Sequence, residues 1–167
     1  MLRIKRINDE YFREINDFQC GIEDESMEIF LKCEALRCDE NGEGNTFLIL
    51  SDKNEIIGYY TIKCNGMKIE ENNMEKVFPV IEISRLAVDY KYRKNGYGTI
   101  IMNYILSEIY KIKKDVGVKY ILLFSIPSAI NFYKDKFNFL EIPNDVQVLP
   151  SWDSEGCQGM YAILDNK

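Results

Sequence analysis

Apolar and polar residues alternate with a period of two at the start of the chain, and a short apolar run follows before its middle; both patterns predict strands. Residues 1–7 alternate in this way, and residues 47–50 form a short apolar run. A polar turn at residues 52–54 separates this run from residues 55–63, which are predicted to return as a hairpin partner. Residues 65–76 are polar and contain Gly and Asn, so they are predicted to be a loop or a weak extension of the strand.

Apolar residues recur every three or four positions in two long segments, which predicts amphipathic helices, and a capping residue or a proline predicts the start of each of two shorter helices. These helices are predicted over residues 10–15, 23–39, 97–113 (starting at Gly96 or Tyr97) and 127–137. Further strands are predicted over residues 79–89, 118–126, 139–142 and 159–164, and residues 143–158 are predicted to be irregular. The predicted order of elements is therefore β-α-α-β-β-β-α-β-α-β-β.

The composition restricts the kinds of active site that are possible more than it restricts the fold. The 167 residues are 46% apolar, enough for a core, so a single domain over residues 1–167 is expected. No apolar run has the length of a membrane span and no apolar leader opens the chain, so a cytoplasmic location is expected. Histidine is absent, and the five cysteines include no C-x-x-C pair. These facts disfavour His-dependent nucleophiles, a disulfide framework and a zinc site, so no metal is expected.

The net charge of −6 is concentrated in one region. Residues 21–44 contain eight acidic residues against Lys32 and Arg37, a local balance that equals that of the whole chain. One interpretation is the solvated face of a helix. The other is a rim that attracts cationic substrates.

A basic, glycine-containing turn follows the central strand and carries the clearest chemical signal. Lys91, Arg93 and Lys94 lie in this turn without an acidic neighbour, and Gly96 and Gly98 come directly after them. The first amides of a helix lack partners, and the helix dipole adds positive character at that end. Glycine lets the backbone approach a ligand closely. The turn therefore predicts a ligand that carries phosphate.

Two common phosphate-binding loops do not fit the turn. A dinucleotide loop, G-x-G-x-x-G, would need glycine where Ile101 stands, and a P-loop would need lysine where Thr99 follows Gly98. The remaining pattern is R-x-x-G-x-G, from Arg93 to Gly98, after a strand that ends Leu-Ala-Val-Asp at residues 86–89. This segment resembles the pyrophosphate-binding signature of the GNAT N-acetyltransferases, which bind acetyl-coenzyme A.

A second segment carries the same resemblance. Residues 129–139 read Ala-Ile-Asn-Phe-Tyr-Lys-Asp-Lys-Phe-Asn-Phe. They are similar to the family pattern A-x-x-F-Y-x-x-x-G-F, in which a helix tyrosine, here Tyr133, lies near the thioester sulfur. Asn138 replaces the family's glycine, and the spacer is one residue longer. Because Asn tolerates the left-handed conformation better than most residues, the same turn is expected.

The resemblance implies an α/β (α+β) fold, with a mixed, mostly antiparallel central sheet flanked by helices and a splayed central strand. It also implies acetyl-CoA as co-substrate and direct attack of an amine on the thioester. The residues expected to hold the coenzyme, largely through their backbone, are Leu86, Ala87, Val88, Arg93, Lys94, Asn95, Gly96, Tyr97, Gly98, Thr99 and Asn131.

Two side chains are candidates for proton transfer. Tyr133 is expected to protonate the departing thiolate, since a thiol and a phenol have pKa values of about 8.5 and about 10. The alternative for Tyr133 is an ordinary buried aromatic. Glu82, on the central strand, is either a base that faces the substrate or an exposed polar residue.

Several segments resemble one branch of the family, whose members include toxins that acetylate the α-amino group of aminoacyl-tRNA. They are Phe18-Gln-Cys-Gly21, Phe30-Leu-Lys32, and residues 57–61, 78–79 and 85–89, although Ser84 stands where the branch has glycine. A tRNA-binding protein needs a basic footprint, and this chain is acidic.

The main hypothesis is therefore an N-acetyltransferase that acts on a small-molecule or peptide amine. The alternative is a toxin that acetylates aminoacyl-tRNA, and a third hypothesis is a coenzyme A-binding module without catalysis. No membrane partner is expected. A homodimer is common in the family and is left open.

Overall fold

The computed structural model describes residues 2–149 and 155–165, and within them eight strands and five α-helices follow one another. They are β1 (Arg3–Arg6), α1 (Phe12–Asp17), α2 (Glu25–Ile29), α3 (Ala35–Glu40), β2 (Asn45–Leu50), β3 (Ile56–Glu71), β4 (Met74–Val88), α4 (Tyr97–Asp115), β5 (Tyr120–Ser125), α5 (Ile130–Phe137), β6 (Leu140–Glu141), β7 (Gln147–Val148) and β8 (Gln158–Ile163). The predicted order is confirmed, with β7 as an addition in a segment predicted to be irregular. Residues 150–154 of that segment lie outside the described residues.

The chain divides into two compact units. The first contains Met1–Lys63 and Arg85–Glu108, and the second contains Cys64–Ser84 and Ile109–Lys167. Strands β3 and β4 and helix α4 each contribute residues to both units. The expectation of a single domain remains a prediction.

The sheet is mixed and mostly antiparallel, as predicted. In the first unit, β2 pairs antiparallel with both β1 and β3. In the second unit, β8 pairs antiparallel with β5 and β6, and β3 pairs antiparallel with β7. The parallel pair is β4 with β5, where Val80–Ile83 lies opposite residues 120–123 while β4 itself continues to Val88. The predicted splay of the central strand stays a prediction.

In the first unit, β3 is buried on both faces. The ring of Tyr59 lies 5.6 Å from that of Phe18 and 6.4 Å from that of Phe30, centroid to centroid. The next residue, Tyr60, points to the opposite face, where its ring lies 6.4 Å from that of Tyr104 in α4. Because helices cover both faces, this part of the strand has a continuous apolar run instead of the alternation of a half-exposed strand.

The helix predicted over residues 23–39 is confirmed, but with an irregularity. A π-helical turn, Phe30–Glu34, connects α2 to α3. In this wider turn the consecutive residues Phe30 and Leu31 are both buried. The hydroxyl of Tyr59 donates to the carbonyl of Met27 at 2.6 Å, which ties the preceding helical turn to the sheet. π-turns in helices are often found at functional sites.

The polar stretch over residues 65–76 consists mainly of the paired ends of β3 and β4, so the loop alternative was wrong and the strand extension was right. Asn72 and Asn73 form the turn with φ values of 54° and 58°. A two-residue hairpin turn with positive φ at both positions favours Asn and Gly, because other side chains are strained there. The polar residues remain on the surface, where for example Lys68 Nζ lies 2.5 Å from Glu75 Oε1.

No helix within residues 2–149 and 155–165 combines the length and the apolar character that a membrane crossing needs.

Candidate functional site

The basic turn is built between the end of β4 and the start of α4, in the first unit. A short 3-10 turn, Tyr90–Tyr92, leaves the strand, and the Asp89 carboxylate caps it by accepting from the Lys91 amide at 2.9 Å. The backbone then takes left-handed conformations at Lys94 (φ 64°) and Gly96 (φ 80°). The Gly96 carbonyl accepts the first bond of the helix, from Ile100 N–H at 3.1 Å. The amides of α4 that follow Gly96 therefore have no carbonyl one turn earlier in the helix to pair with.

This turn fits a pyrophosphate group. A Cβ built on Gly96 would meet no described atom within 4 Å, so open space faces the backbone there. The Asn95 side chain donates to the carbonyls of Tyr92 (3.3 Å) and Arg93 (3.2 Å), which holds the turn in shape. Amide donors, the dipole of a 19-residue helix and the exposed Lys94 together suit a multiply charged anion.

Arg93 was predicted to help hold the coenzyme, but its side chain is bonded to other residues of the protein. Its Nη2 donates to Asp24 Oδ2 at 2.7 Å, and its Nε donates to the Val88 carbonyl at 3.2 Å. The guanidinium thus ties the turn to the acidic segment before α2. A direct contact between Arg93 and pyrophosphate would require this ion pair to open or to be shared.

The segment Phe18–Gly21 is fastened to the same strand end. The Gln19 amide donates to Asp89 Oδ2 at 2.9 Å, and the Gln19 carbonyl accepts from Tyr90 N–H at 2.8 Å. The buried Asp89 therefore joins two chain segments that are 70 residues apart in sequence. No role was predicted for Asp24 or Asp89 from the sequence. Their partners are distant in sequence, and only the position of Asp89 at the end of the motif hinted at its importance.

Residues 85–88 of β4 alternate between the core and a more open face. Arg85 and Ala87 are buried, whereas Leu86 and Val88 are half-buried and share the other face. The Arg85 guanidinium lies 4.7 Å from the centre of the Phe30 ring, a cation–π contact. β3 approaches this strand very closely, because a Cβ on Gly58 would lie 2.6 Å from the carbonyl oxygen of Ala87.

Tyr133 lies on α5 in the second unit, near the end of the helix. Its ring makes edge contacts with Phe132 (5.0 Å) and Phe139 (6.0 Å), and it is half-buried. Burial raises the pKa of Tyr133 well above its usual value, so its phenol stays protonated at neutral pH.

The end of α5 explains the departure at Asn138. This residue has φ 55° and ψ 32°, the left-handed conformation that was predicted. The amides of Asn138 and Phe139 both donate to the Tyr133 carbonyl, and the buried Phe139 packs on the Tyr133 ring. A left-handed residue followed by an apolar residue that packs back onto the helix is a common way for a helix to end. The turn thus orients the tyrosine as well as ending the helix.

Glu82 and Asn131 also belong to the second unit. The side chain of Glu82 is fully buried, with an exposed fraction of 0%, and its Oε2 accepts from Asn65 Nδ2 at 2.6 Å. The alternative of an exposed polar residue was therefore wrong, since Glu82 lies on a central strand covered on both sides. Asn131 is exposed, two residues before Tyr133.

The predicted site residues are distributed over both units. The turn and residues 86–88 lie in the first unit, and Glu82, Asn131 and Tyr133 lie in the second. Across residues 2–149 and 155–165, no group of three His, Cys, Asp or Glu side chains is placed to hold a metal ion.

Cys20 lies beside the turn but does not suit nucleophilic catalysis. It is completely buried, and this burial raises the pKa of its thiol to about 12. A nucleophilic cysteine needs a lowered pKa, so that the thiolate forms near neutral pH. A covalent acetyl-cysteine route through this residue is thus disfavoured, and direct attack by the amine agrees better with the site.

A family model described as the acetyltransferase (GNAT) domain matches residues 43–139, more than half of the chain. A tRNA-acetylating toxin of Mycobacterium tuberculosis (strain ATCC 25618 / H37Rv) is 24% identical over an alignment of 138 residues, which covers 79% of this chain and 81% of that protein.

Two solved structures with the same fold have sequence identities below 20%. One is a mutant AtaT toxin bound to the C-terminus of the antitoxin AtaR and acetyl-CoA, with TM-score 0.75, 19% identity, and coverage of 97% of this chain and 92% of that chain. The other is AtaT complexed with acetyl-methionyl-tRNAfMet, with TM-score 0.74, 18% identity, and coverage of 90% and 95%. The family model matches more than half of the chain, and the shared fold and the basic turn are consistent with that match. The chain therefore belongs to the GNAT acetyltransferases and transfers an acetyl group from acetyl-CoA, its co-substrate.

Proposed function

We propose that this acetyltransferase acts on the α-amino group of aminoacyl-tRNA. The observation that carries the proposal is the similarity to a tRNA-acetylating toxin along 79% of the chain. This similarity favours acetylation of aminoacyl-tRNA, the alternative hypothesis, over acetylation of a small-molecule or peptide amine. The position of residues 18–21, fastened to the coenzyme turn through Asp89, supports it, because this segment carries the resemblance to that branch of the family.

The protonation state of the acceptor provides a physical argument. An α-amino group has a pKa of about 7.7–8.0 and a lysine-type amine one of about 10.4, so at pH 7 the neutral fraction of the former is roughly 300-fold larger. The chain contains no histidine, and its candidate carboxylate base, Glu82, is buried against Asn65. A site with so little capacity to remove a proton suits an amine that is already partly neutral.

Tyr133 would supply the proton that the reaction needs on the other side. The thiolate that departs must be protonated, and the half-buried phenol of Tyr133, whose pKa is raised, keeps its proton throughout the neutral range and can donate it. Its orientation is set by the end of α5 and by the contact with Phe139. Backbone N–H groups near Leu86 and Ala87 are the candidates for stabilising the oxyanion.

The acidic character of residues 21–44 is a weaker objection to tRNA than the sequence suggested. Four of the eight acidic residues make ion pairs: Asp24 with Arg93, Glu28 with Lys32, Asp39 with Arg6, and Glu43 with Arg37. Pairing does not change the net charge, but it does convert isolated negative charges into local dipoles whose field falls off faster. The sum of charges along a segment therefore overstates the repulsion that a phosphate would meet.

The direct test is an acetyl-transfer assay with radiolabelled acetyl-CoA and a pool of aminoacylated tRNAs. We expect acid-precipitable label on charged tRNA and none on the same tRNA after deacylation. Release of coenzyme A thiol should rise in proportion. The substitution Tyr133→Phe serves as the catalytic control within the same assay.

A panel of other amines makes the proposal falsifiable. If polyamines or peptide amines are acetylated while charged tRNA is inert, the proposal is wrong and the small-molecule or peptide hypothesis is restored. If neither class reacts although acetyl-CoA binds, the acceptor lies outside both hypotheses and the proposal also fails.

A further inference from the structure

The side chain of Tyr92 links the turn between β2 and β3 to the coenzyme turn, residues 93–98. Its hydroxyl donates to Glu55 Oε2 at 2.5 Å, the short length of a hydrogen bond to a charged carboxylate. This bond raises the pKa of Tyr92 to about 12, so the phenol keeps its proton and remains a donor across the neutral range. Because Glu55 and Tyr92 are 37 positions apart, no local pattern in the sequence indicates the contact.

The backbone of Glu55 is held in place by the hairpin turn. Its N–H donates to Ser51 Oγ at 3.1 Å, and its carbonyl accepts from Ser51 N–H at 2.9 Å. Strand β3 begins at the next residue, and the carbonyl of Ile57 in that strand accepts from Asp89 N–H at 2.8 Å, just after β4 ends. The Glu55 carboxylate therefore reaches the coenzyme turn from a fixed point beside the sheet.

Tyr92 in turn contacts the start of α4 and the coenzyme turn itself. Its ring lies 5.9 Å from that of Tyr97, centroid to centroid, with an angle of 88° between the ring planes. Tyr97 is the first residue of α4, where the helix amides lack partners one turn earlier in the helix. The Tyr92 carbonyl also accepts from the Asn95 side chain at 3.3 Å. Through Tyr92, Glu55 thus acts on both parts of the predicted pyrophosphate site.

The coenzyme turn needs external support because its backbone is strained. Lys94 has a φ of 64°, in the left-handed region where side chains other than those of Asn and Asp are seldom found. Such conformations persist only when the surrounding structure holds them. A turn that is already ordered in the free protein spares the ligand the entropy cost of ordering it, so each contact that holds the turn should strengthen binding.

The negative charge of Glu55 makes a positioning role testable. A carboxylate beside an anion site repels the anion, so Glu55 would weaken coenzyme binding if its charge were its only effect. If its hydrogen bond to Tyr92 is the larger effect, Glu55 strengthens coenzyme binding in spite of its charge. The two possibilities predict opposite signs for the same substitution.

We propose that Glu55 is a positioning residue for acetyl-CoA, which holds the Tyr92 hydroxyl and thereby fixes the turn that receives the pyrophosphate. It acts through Tyr92 and not by contact with the coenzyme. The proposal depends on the family activity and on the turn as the coenzyme site, and it holds whichever amine is acetylated.

The test is a double-mutant cycle on the dissociation constant for acetyl-CoA, measured by calorimetry without an acceptor. Glu55→Ala and Tyr92→Phe should each weaken binding by about 3- to 10-fold. The double variant should bind no more weakly than either single variant, because both substitutions remove the same bond. Glu55→Gln keeps an oxygen that can accept from Tyr92, so its dissociation constant should lie within about twofold of the wild-type value.

The matched control is Asp17→Ala. Asp17 is an exposed carboxylate that lines the same cavity of about 580 Å³ as Glu55 and Tyr92, but its side chain makes no hydrogen bond with any described residue. Its removal should not weaken acetyl-CoA binding.

Hydrogen exchange of the free protein provides a readout that needs no ligand. The amides of residues 93–98 should exchange severalfold faster in Glu55→Ala and in Tyr92→Phe than in the wild type, and at the wild-type rate in Asp17→Ala. Unchanged or tighter acetyl-CoA binding in Glu55→Ala would overturn the proposal, as would effects that add in the double variant. Weaker binding with unchanged hydrogen exchange would indicate direct contact between Glu55 and the coenzyme and would overturn it as well.

Discussion

Two helix ends in this molecule handle their polar backbone groups in opposite ways. The start of α4 is open: left-handed residues at Lys94 and Gly96 lead into the helix, and a Cβ built on Gly96 would meet no described atom within 4 Å. The end of α5 is closed, because Asn138 and Phe139 return their amides to the Tyr133 carbonyl and Phe139 is buried against the tyrosine ring. An open end suits a ligand, and a closed end fixes a side chain.

A positive φ therefore has different consequences at these two helix ends. At Gly96 it shapes a binding surface, so a substitution there should change affinity. At Asn138 it ends a helix, so a substitution there should change stability. The predictions below test this division, beginning with the largest expected effect.

Removing the hydroxyl of Tyr133 tests whether the closed end serves catalysis. For Tyr133→Phe we expect kcat to fall by about 10²–10⁴-fold, because a proton donor to the thiolate is lost. The dissociation constant for acetyl-CoA should stay within about twofold, since the phenyl ring and the turn are kept. Steady-state kinetics and calorimetry measure the two quantities.

The matched control is Tyr161→Phe, a half-buried tyrosine on β8 whose ring contacts Tyr120. It should leave kcat unchanged. An unchanged kcat in Tyr133→Phe would eliminate the proton-donor role and leave the residue as a packing aromatic.

A side chain at Gly96 tests the open end. For Gly96→Val we expect acetyl-CoA to bind about 10- to 100-fold more weakly, because a β-branched residue resists φ of 80° and would crowd the ligand. Calorimetric titration measures this. Gly117→Ala, at a glycine without positive φ whose Cβ would meet no described atom within 4 Å, is the control. Equal affinities in both variants would contradict an anion site at this turn.

Asn138 tests the closed end in isolation. Asn138→Ala should lower the free energy of unfolding by about 1–2 kcal/mol, because alanine lacks the tolerance of Asn for the left-handed region. For a chain of this size this is a fall in Tm of roughly 2–8 °C. Asn138→Gly should be neutral or stabilising in the same thermal melt. If Asn138→Ala melts with the wild type, the left-handed conformation is not required there.

The smallest effect is expected for the ion pair that joins the open end to the acidic segment. Asp24→Asn should release Arg93 from its 2.7 Å contact and tighten acetyl-CoA binding by about threefold, a gain of the size of one exposed ion pair. Glu23→Gln, at a neighbouring acid, is the control. Weaker binding in Asp24→Asn would mean instead that Asp24 holds Arg93 in the geometry that the coenzyme needs.

Much of the fold was predictable because it depends on local periodicity. The helices at residues 23–39 and 97–113 and the strand at residues 79–89 follow from patterns of 3.6 and 2 residues, which the sequence displays directly. The polar hairpin over residues 65–76 was ambiguous, because its turn depends on two adjacent asparagines that can equally end a strand. The π-turn after Ile29 was not foreseen, since one extra residue in a helix changes burial without an evident signal.

Some features of the candidate site were likewise predictable from the sequence, and others were not. The sequence by itself determined the turn from Arg93 to Gly98, the tyrosine at position 133 and the left-handed residue at Asn138. Each of these is a short motif, and its conformation is governed by neighbouring backbone atoms.

Only the tertiary structure decided which charged side chains are available to a ligand. Asp24 holds Arg93, Asp89 joins Gln19 to the turn, Glu82 is buried against Asn65, and Glu55 accepts from the Tyr92 hydroxyl. Pairing and burial are properties of residues far apart in the chain, and they determine the energy of a charge far more than its sign does. The acceptor half of the reaction depends on those charges, and for that reason the sequence pointed to the coenzyme much more clearly than to the amine.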